Sequence, residues 1–159
     1  MTEGADFEAQ AIAETVGAGM YAQDAASQAL GLKIDAMGPG YARLVMPVRA
    51  DMLNGFKICH GGLITTLADS AFAFACNSHN KLTLAAAITV DFIAPAREGD
   101  VLSAAATEVS QAGRTGIYDV VVTNQNGETI AVLRGRSHRI KDRKTVPTGN
   151  DTGADAANS

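Results

Sequence analysis

Fourteen consecutive residues, Leu63 to Cys76, carry a single charge, Asp69, among Leu, Ile, Ala, Phe, Thr, Ser and Cys. The run is longer than a usual strand and rich in Ala and Leu, so it reads as a buried helix. It falls short of the ~20 residues that span a bilayer, and no other stretch of the sequence does better. A helix that is apolar nearly all round needs cover on several sides. The remaining chain, a second subunit, or both must supply it.

Most of the remainder reads as strands. Leu84–Ile93 is closed by Pro95 and the turn Glu98-Gly99-Asp100. Val101–Val109 leads into a turn at Gln111–Arg114, and Thr115–Thr123 follows. Asn126-Gly127 is a strong two-residue hairpin signal, and Thr129–Ile140 is the last strand. Ahead of the apolar helix, Gly38-Pro39-Gly40 marks a turn and Tyr41–Pro47 alternates as a strand. Met52–Cys59 reads as a loop. Residues 6–29 read as helix, stopped by Gly31 and open to a split at Gly17 and Gly19. Short turns between strands imply an antiparallel sheet, and such a sheet hides a face only where something covers it. The expected architecture is α+β: a curved antiparallel sheet wrapped around the central helix. Residues 1–28 form an N-terminal helical segment and 29–143 the domain. Residues 144–159, polar and without periodicity, form a disordered tail.

Charge narrows the function. The chain has 13 basic and 17 acidic residues, net −4, which argues against nucleic-acid binding. The sign is uneven: residues 1–28 carry −5, while 29–144 hold all the cations and carry +3. Six basic residues fall between Arg134 and Lys144. This basic end is either a solvated strand end or a site for an anionic small molecule. The acidic N-terminus lacks an apolar leader, and Cys59 and Cys76 are too few for a disulfide framework. A cytoplasmic protein with reduced, inert thiols and no membrane partner is expected. Three scattered histidines and two cysteines do not form a metal site, so neither metal nor cofactor is expected.

Asp69 is the anomaly. Burying a carboxylate costs several kcal/mol unless it is paired or hydrogen-bonded. It is either satisfied within the fold or presented for acid–base or nucleophilic work. Thr65 and Thr66 lie one turn earlier on the same side. Gly61 and Gly62, at the helix start, leave backbone N–H groups bare where the helix dipole adds positive potential, which suits a developing oxyanion. They serve equally as a turn or a close-packing point. His60 reads first as a cap, there being no Ser or Cys nucleophile beside it. Gly61 and Asp69 lie about 12 Å apart at ~1.5 Å per residue, too far to touch one carbonyl carbon. If both act on one bond they come from different chains, and antiparallel helices in a symmetric dimer would bring them together.

Asn54-Gly55, His60-Gly61-Gly62, Leu67-Ala68-Asp69, Ala71-Phe72-Ala73 and Ala75-Cys76-Asn77-Ser78 resemble the phenylacetate-degradation (PaaI-type) thioesterases of the hotdog superfamily. So do Val90-Asp91-Phe92, Thr115-Gly116-Ile117-Tyr118-Asp119 and Arg134 through Ile140. The resemblance spans about residues 20–140. It implies a hotdog fold, a homotetramer built as a dimer of dimers, and acyl-coenzyme A as substrate, with coenzyme A a product rather than a cofactor. It implies that Asp69 attacks the thioester or activates water, that the Gly61 N–H polarises the carbonyl, and that Asn54 contacts the site. His60 and Gly62 complete the motif. Some relatives place Thr or Ser one turn after the carboxylate, where this chain has Ala73. The branch acting on naphthoyl-coenzyme A has Glu in place of Asp69. The implied acyl group is aryl, of the phenylacetyl or hydroxyphenylacetyl type, within phenylacetate catabolism. For the coenzyme A phosphates there are two candidate sets: Arg134, Arg136 and His138 on one face of the last strand, or Arg139 on the other, with Arg114 from its turn joining either.

Two other functions fit such a chain. An acyl-coenzyme A dehydratase or hydratase would pair a catalytic histidine with a carboxylate, and only His60 lies near the motif. A passive acyl-coenzyme A binder would have no need of a carboxylate beside the thioester of an anionic ligand.

Overall fold

The alternation read at Tyr41–Pro47 buries Ala42, Leu44 and Met46 on one face. The period of two recurs in the neighbouring strands and builds the core. The computed structural model describes residues 2–147. The elements in order are α1 (Thr2–Gln23), α2 (Ala25–Ala29), β1 (Lys33–Gly38), β2 (Tyr41–Pro47) and a 3-10 turn (Ala50–Met52). Then come α3 (Gly61–Asn77), β3 (Thr83–Phe92), β4 (Val101–Ala112), β5 (Thr115–Thr123) and β6 (Thr129–Arg139). The six strands form one antiparallel sheet in the order β1-β2-β4-β5-β6-β3. The apolar helix α3 packs against this sheet, as the α+β reading expected.

Small residues let helix and sheet approach. Ala68, Ala71 and Ala75 of α3 and Ala104 and Ala106 of β4 are fully buried. Phe72 lies under β6, where a Cβ on Gly135 would sit 2.8 Å from its ring. Its ring centroid is 5.4 Å from that of Tyr118.

Three details differ from expectation. First, β3 does not pair with β4, which follows it, but lies at the far edge beside β6. The linker crosses between the two sides: Ile93 N donates to Ile130 O at 2.8 Å, while Val48 N donates to Asp100 O at 2.8 Å. Second, α1 runs unbroken through Gly17 and Gly19, and the break falls at Asp24, whose carboxylate caps α2 through Ser27 N at 2.9 Å. The glycines admit neighbours instead: an added Cβ would lie 2.9 Å from Met37 Cγ and 2.7 Å from Val146 Cγ1. Third, the segment read as a free tail from 144 is fixed as far as Val146. Asn80 Oδ1 accepts from Thr145 N at 3.1 Å and Val146 N at 2.9 Å, and Val146 is buried. A pattern of apolar periodicity cannot register one anchoring valine. The rest of that tail, 148–159, lies outside the described residues. Among the described residues no helix is long and apolar enough to cross a membrane.

Candidate active site

The sheet covers most of α3 but not all. Ile64, Leu67, Ala68, Ala71, Phe72 and Ala75 are buried, while Gly62, Thr65, Thr66, Asp69, Ser70 and Ala73 are exposed or half-buried. At 3.6 residues per turn these six form one stripe, and Asp69 lies mid-way along it.

Among the described residues Asp69 has no hydrogen-bond or ion-pair partner. The threonines that could have bonded it are turned back on their own helix: Thr65 Oγ1 donates to Gly61 O and Thr66 Oγ1 to Gly62 O, both at 2.9 Å. Desolvation alone therefore acts on the carboxyl and raises its pKa above the ordinary range. Opposing bonds that would have kept it low are missing among the described residues.

The helix start divides its donors. His60 is the N-cap, with Nδ1 accepting from Gly62 N at 3.1 Å. Leu63 N and Ile64 N donate to His60 O at 2.9 and 3.3 Å. Gly61 N–H alone of these is left without a partner among the described residues, aimed outward at the positive end of the helix. His60 Nδ1 is thus spent as a cap, and the Gly62 N–H is spent on it. Above Gly61 stands the ring of Phe92, 3.0 Å from where a Cβ would be. Phe92 is 55% exposed although it is a large aromatic.

Asn54 shapes the loop before the helix. Its Oδ1 accepts from Phe56 N at 2.9 Å and Ile58 N at 3.4 Å, and its own N donates to Ile58 O at 2.8 Å. The amide Nδ2 has no partner among the described residues and remains a donor. His60 N to Met52 O and Cys59 N to Ala96 O, both 2.8 Å, tie this loop to the body. Phe56 at its tip is 86% exposed.

The other candidates separate. Phe72 and Phe74 of α3 are core residues. Burial pushes the Cys59 thiol up and that of Cys76 up to about 12, so neither is a thiolate nucleophile near neutrality. Arg134, Arg136 and His138 share the outer, solvent face of β6. There Arg134 is held by Asp119, with Nε to Oδ1 and Nη2 to Oδ2 both at 2.7 Å. Arg139 faces the helix side instead, and Arg114 lies with it: Arg139 N donates to Arg114 O at 2.8 Å, and both line one cavity. A second groove, about 810 Å³, opens between α1, α3 and the start of β3, with Gly19, Met20, Ala73, Leu82 and Leu84 in its wall. Ala73, one turn beyond Asp69, joins this groove to the stripe.

The sequence reading named Phe92 only within a motif, without a place in the site, and missed the division of donors at the helix start. The first carries no signal beyond a strand-end aromatic. The second was present in the His-Gly-Gly order itself.

A sequence profile of the thioesterase superfamily matches residues 56–131. The chain is 48% identical over 121 residues to the acyl-coenzyme A thioesterase PaaI of Escherichia coli K12, covering 76% of this chain and 86% of that one. It is 39% identical over 123 residues to a putative esterase of Archaeoglobus fulgidus, covering 77% and 80%. Among solved structures it superposes on E. coli PaaI, from the phenylacetic acid degradation operon, with a TM-score of 0.81 and 45% identity over 82% of this chain and 95% of that one. On the TT0310 protein of Thermus thermophilus the TM-score is 0.69, with 38% identity over 72% and 96%.

Proposed function

The chain belongs to the thioesterase superfamily and is a thioester hydrolase, and from that premise we propose that it cleaves acyl-coenzyme A carrying a bulky apolar, aryl-type acyl group. The observation that carries this reading is Asp69: a half-buried carboxylate without a partner among the described residues, on the uncovered stripe of an otherwise apolar helix.

Hydrolysis breaks the thioester C–S bond and makes a C–O bond to water, giving acid and thiol. Asp69 attacks the carbonyl carbon or takes a proton from the attacking water. The raised pKa makes it a better base than a solvated aspartate. As the carbonyl oxygen gains charge it needs a donor already in place, and Gly61 N–H is unspent. Asn54 Nδ2 is a second free donor for carbonyl or water. His60 serves by fixing the helix start through Nδ1. The apolar groove reached through Ala73 suits a bulky acyl group, and E. coli PaaI, a product of a phenylacetic acid degradation operon, suggests phenylacetyl-type acids.

The site is proposed to be shared. Gly61 and Asp69 stand about 12 Å apart on one helix, so the Gly61 that meets a given Asp69 comes from a second copy. β3 is an edge strand with Leu84, Ile88 and Phe92 exposed. An edge of that length and character invites pairing with another strand. Two such dimers would make the proposed homotetramer.

The direct test is thiol trapping with a panel of acyl-coenzyme A substrates. Release of free coenzyme A, fastest with phenylacetyl and hydroxyphenylacetyl esters, is expected. Fastest release with acetyl or long linear chains would reject the aryl preference, and double-bond chemistry without thiol release would reject hydrolysis.

A further inference from the structure

β3 lies at the bare edge of the sheet, yet its side chains still divide between two faces. Residues paired across strands share a face. Ile88, Val90 and Phe92 stand opposite Gly135, Leu133 and Ala131 of β6. Those three are buried under α3, so Ile88, Val90 and Phe92 face the helix too. Val90 packs against the core. Phe92, at the end of the strand, reaches past the core and stays more than half exposed.

What Phe92 does meet is the start of α3. Three of its ring carbons lie 3.0, 3.2 and 3.5 Å from the point where a Cβ on Gly61 would be. Gly61 is not among the glycines with positive φ, so its backbone does not call for glycine. The ring is what excludes a side chain there. Ring and glycine are a fitted pair, and the pair flanks the one N–H of the helix start that the cap leaves unspent among the described residues. An aromatic ring carries no strong donor or acceptor to compete for that N–H. A hydrogen bond to a developing anion gains strength where water is kept away.

We propose that Phe92 is a positioning residue for hydrolysis: its ring walls the Gly61 N–H against water and holds the thioester carbonyl on that donor. The proposal rests on the reading of Gly61 as the oxyanion donor. In the shared site the ring that serves a given Asp69 arrives with Gly61 from the second copy. Strand pairing at the β3 edge leaves the ring in place, since those hydrogen bonds run in the plane of the sheet and the ring stands off its face.

The test is kinetics of the intact protein on the acyl-coenzyme A that the parent cleaves fastest. The variants are Phe92→Ala, Phe92→Leu, Gly61→Ala and Gly61→Ala with Phe92→Ala. Gly61→Ala keeps the N–H and adds only the methyl that pushes the ring. Phe92→Ala should lower kcat about tenfold or more, part of the 10²–10³ lost with an oxyanion donor itself, and should leave KM within about threefold. Gly61→Ala should lower kcat several-fold. Phe92→Leu, which keeps an apolar wall, should recover most of the rate. The double variant should fall no further than Phe92→Ala, because the added methyl then meets no ring. The infrared carbonyl band of an isotope-labelled thioester, held unhydrolysed by Asp69→Asn, distinguishes positioning from loss of structure. Bound to Asp69→Asn alone, the band should lie below its position in water. Adding Phe92→Ala or Gly61→Ala should broaden it and move it back.

Folded, assembled Phe92→Ala with kcat within about twofold of the parent overturns the proposal. A lower kcat with an unmoved band makes Phe92 structural and overturns it too, as does an additive double variant. Gly61→Ala leaves β3 intact, so a Phe92→Ala chain that fails to fold leaves the decision to the Gly61→Ala band. A parent inactive on every thioester overturns the functional reading and the proposal with it, whereas an active parent with indifferent variants overturns the proposal alone.

Discussion

At the scale of single residues, Asp69 is a cost the fold bears. Its pKa in the folded chain is raised by desolvation, so the folded state holds the proton more tightly than the unfolded one. The stability tied to this group is fully present below the ordinary aspartate pKa and is lost as pH rises through the raised value. Asp69→Asn removes that loss. The variant should therefore melt no lower than the parent at pH 7, and its advantage should shrink towards zero in acid. Melting temperatures across pH check this. The same substitution should lower kcat by about 10²–10⁴, and the acidic limb of kcat/KM in the parent should lie above the usual carboxylate range. Near-normal kcat in Asp69→Asn would leave the residue a structural carboxylate. Asp69 was legible in the sequence because one charge in an apolar run has few explanations. The exposure of Phe92 was not, since alternation tells which face a side chain takes but not how deeply it is covered. His60 is the instructive middle case. Its neighbours fixed its role as a cap, and that role decides which glycine N–H is left open.

At the scale of elements, β6 shows how one strand divides its work between two faces. On the helix side Gly135 lets the Phe72 ring reach the backbone. Gly135→Ala should cost about 1–3 kcal/mol by overpacking, read as a lower urea midpoint with unchanged slope. On the solvent side Arg134 is paired across strands with Asp119, its register partner in β5. An exposed pair of this kind contributes little to stability because solvent screens it. Arg134→Ala should thus change stability little and shift KM for acyl-coenzyme A less than twofold. A tenfold rise in KM would instead put the coenzyme A phosphates against the outer face of β6. The central helix and β4, β5 and β6 were legible because periodicity and turn chemistry are local. The place of β3 was not: strand order depends on which edge lies within reach of the linker, and Pro95 reveals only that the strand stops. β1 was hard to see because Lys33–Gly38 puts Met37 and Gly38 alone in the buried class.

At the scale of the molecule, the shared-site proposal makes each chain, with its donor and its carboxylate on one helix, half of two sites. Chains with Asp69→Ala, mixed with chains bearing Gly61→Pro, should regain activity as heterodimers, with one working site of two. The second variant is mild for the fold. Proline is accepted at the first helical position, and His60 already has the extended backbone (φ −60°, ψ 128°) that precedes proline; the Phe92 ring, 3.0 Å from where a Cβ would be, must shift by a few tenths of an ångström. Heterodimers that form and stay dead would end the shared-site reading. The helix that separates the two groups also acts as a ruler. Each residue advances the chain by about 1.5 Å and turns it by about 100°. One residue inserted or deleted between Leu63 and Ala68 would carry Asp69 off the open stripe and towards the packed side, and would misplace both sites of a dimer at once. The exposed turn at 125–128, where an added Cβ on Gly127 would meet nothing, carries no such constraint on its length. Among natural variants of this chain, length changes should therefore be tolerated in such a turn and be missing from the eight steps between Gly61 and Asp69.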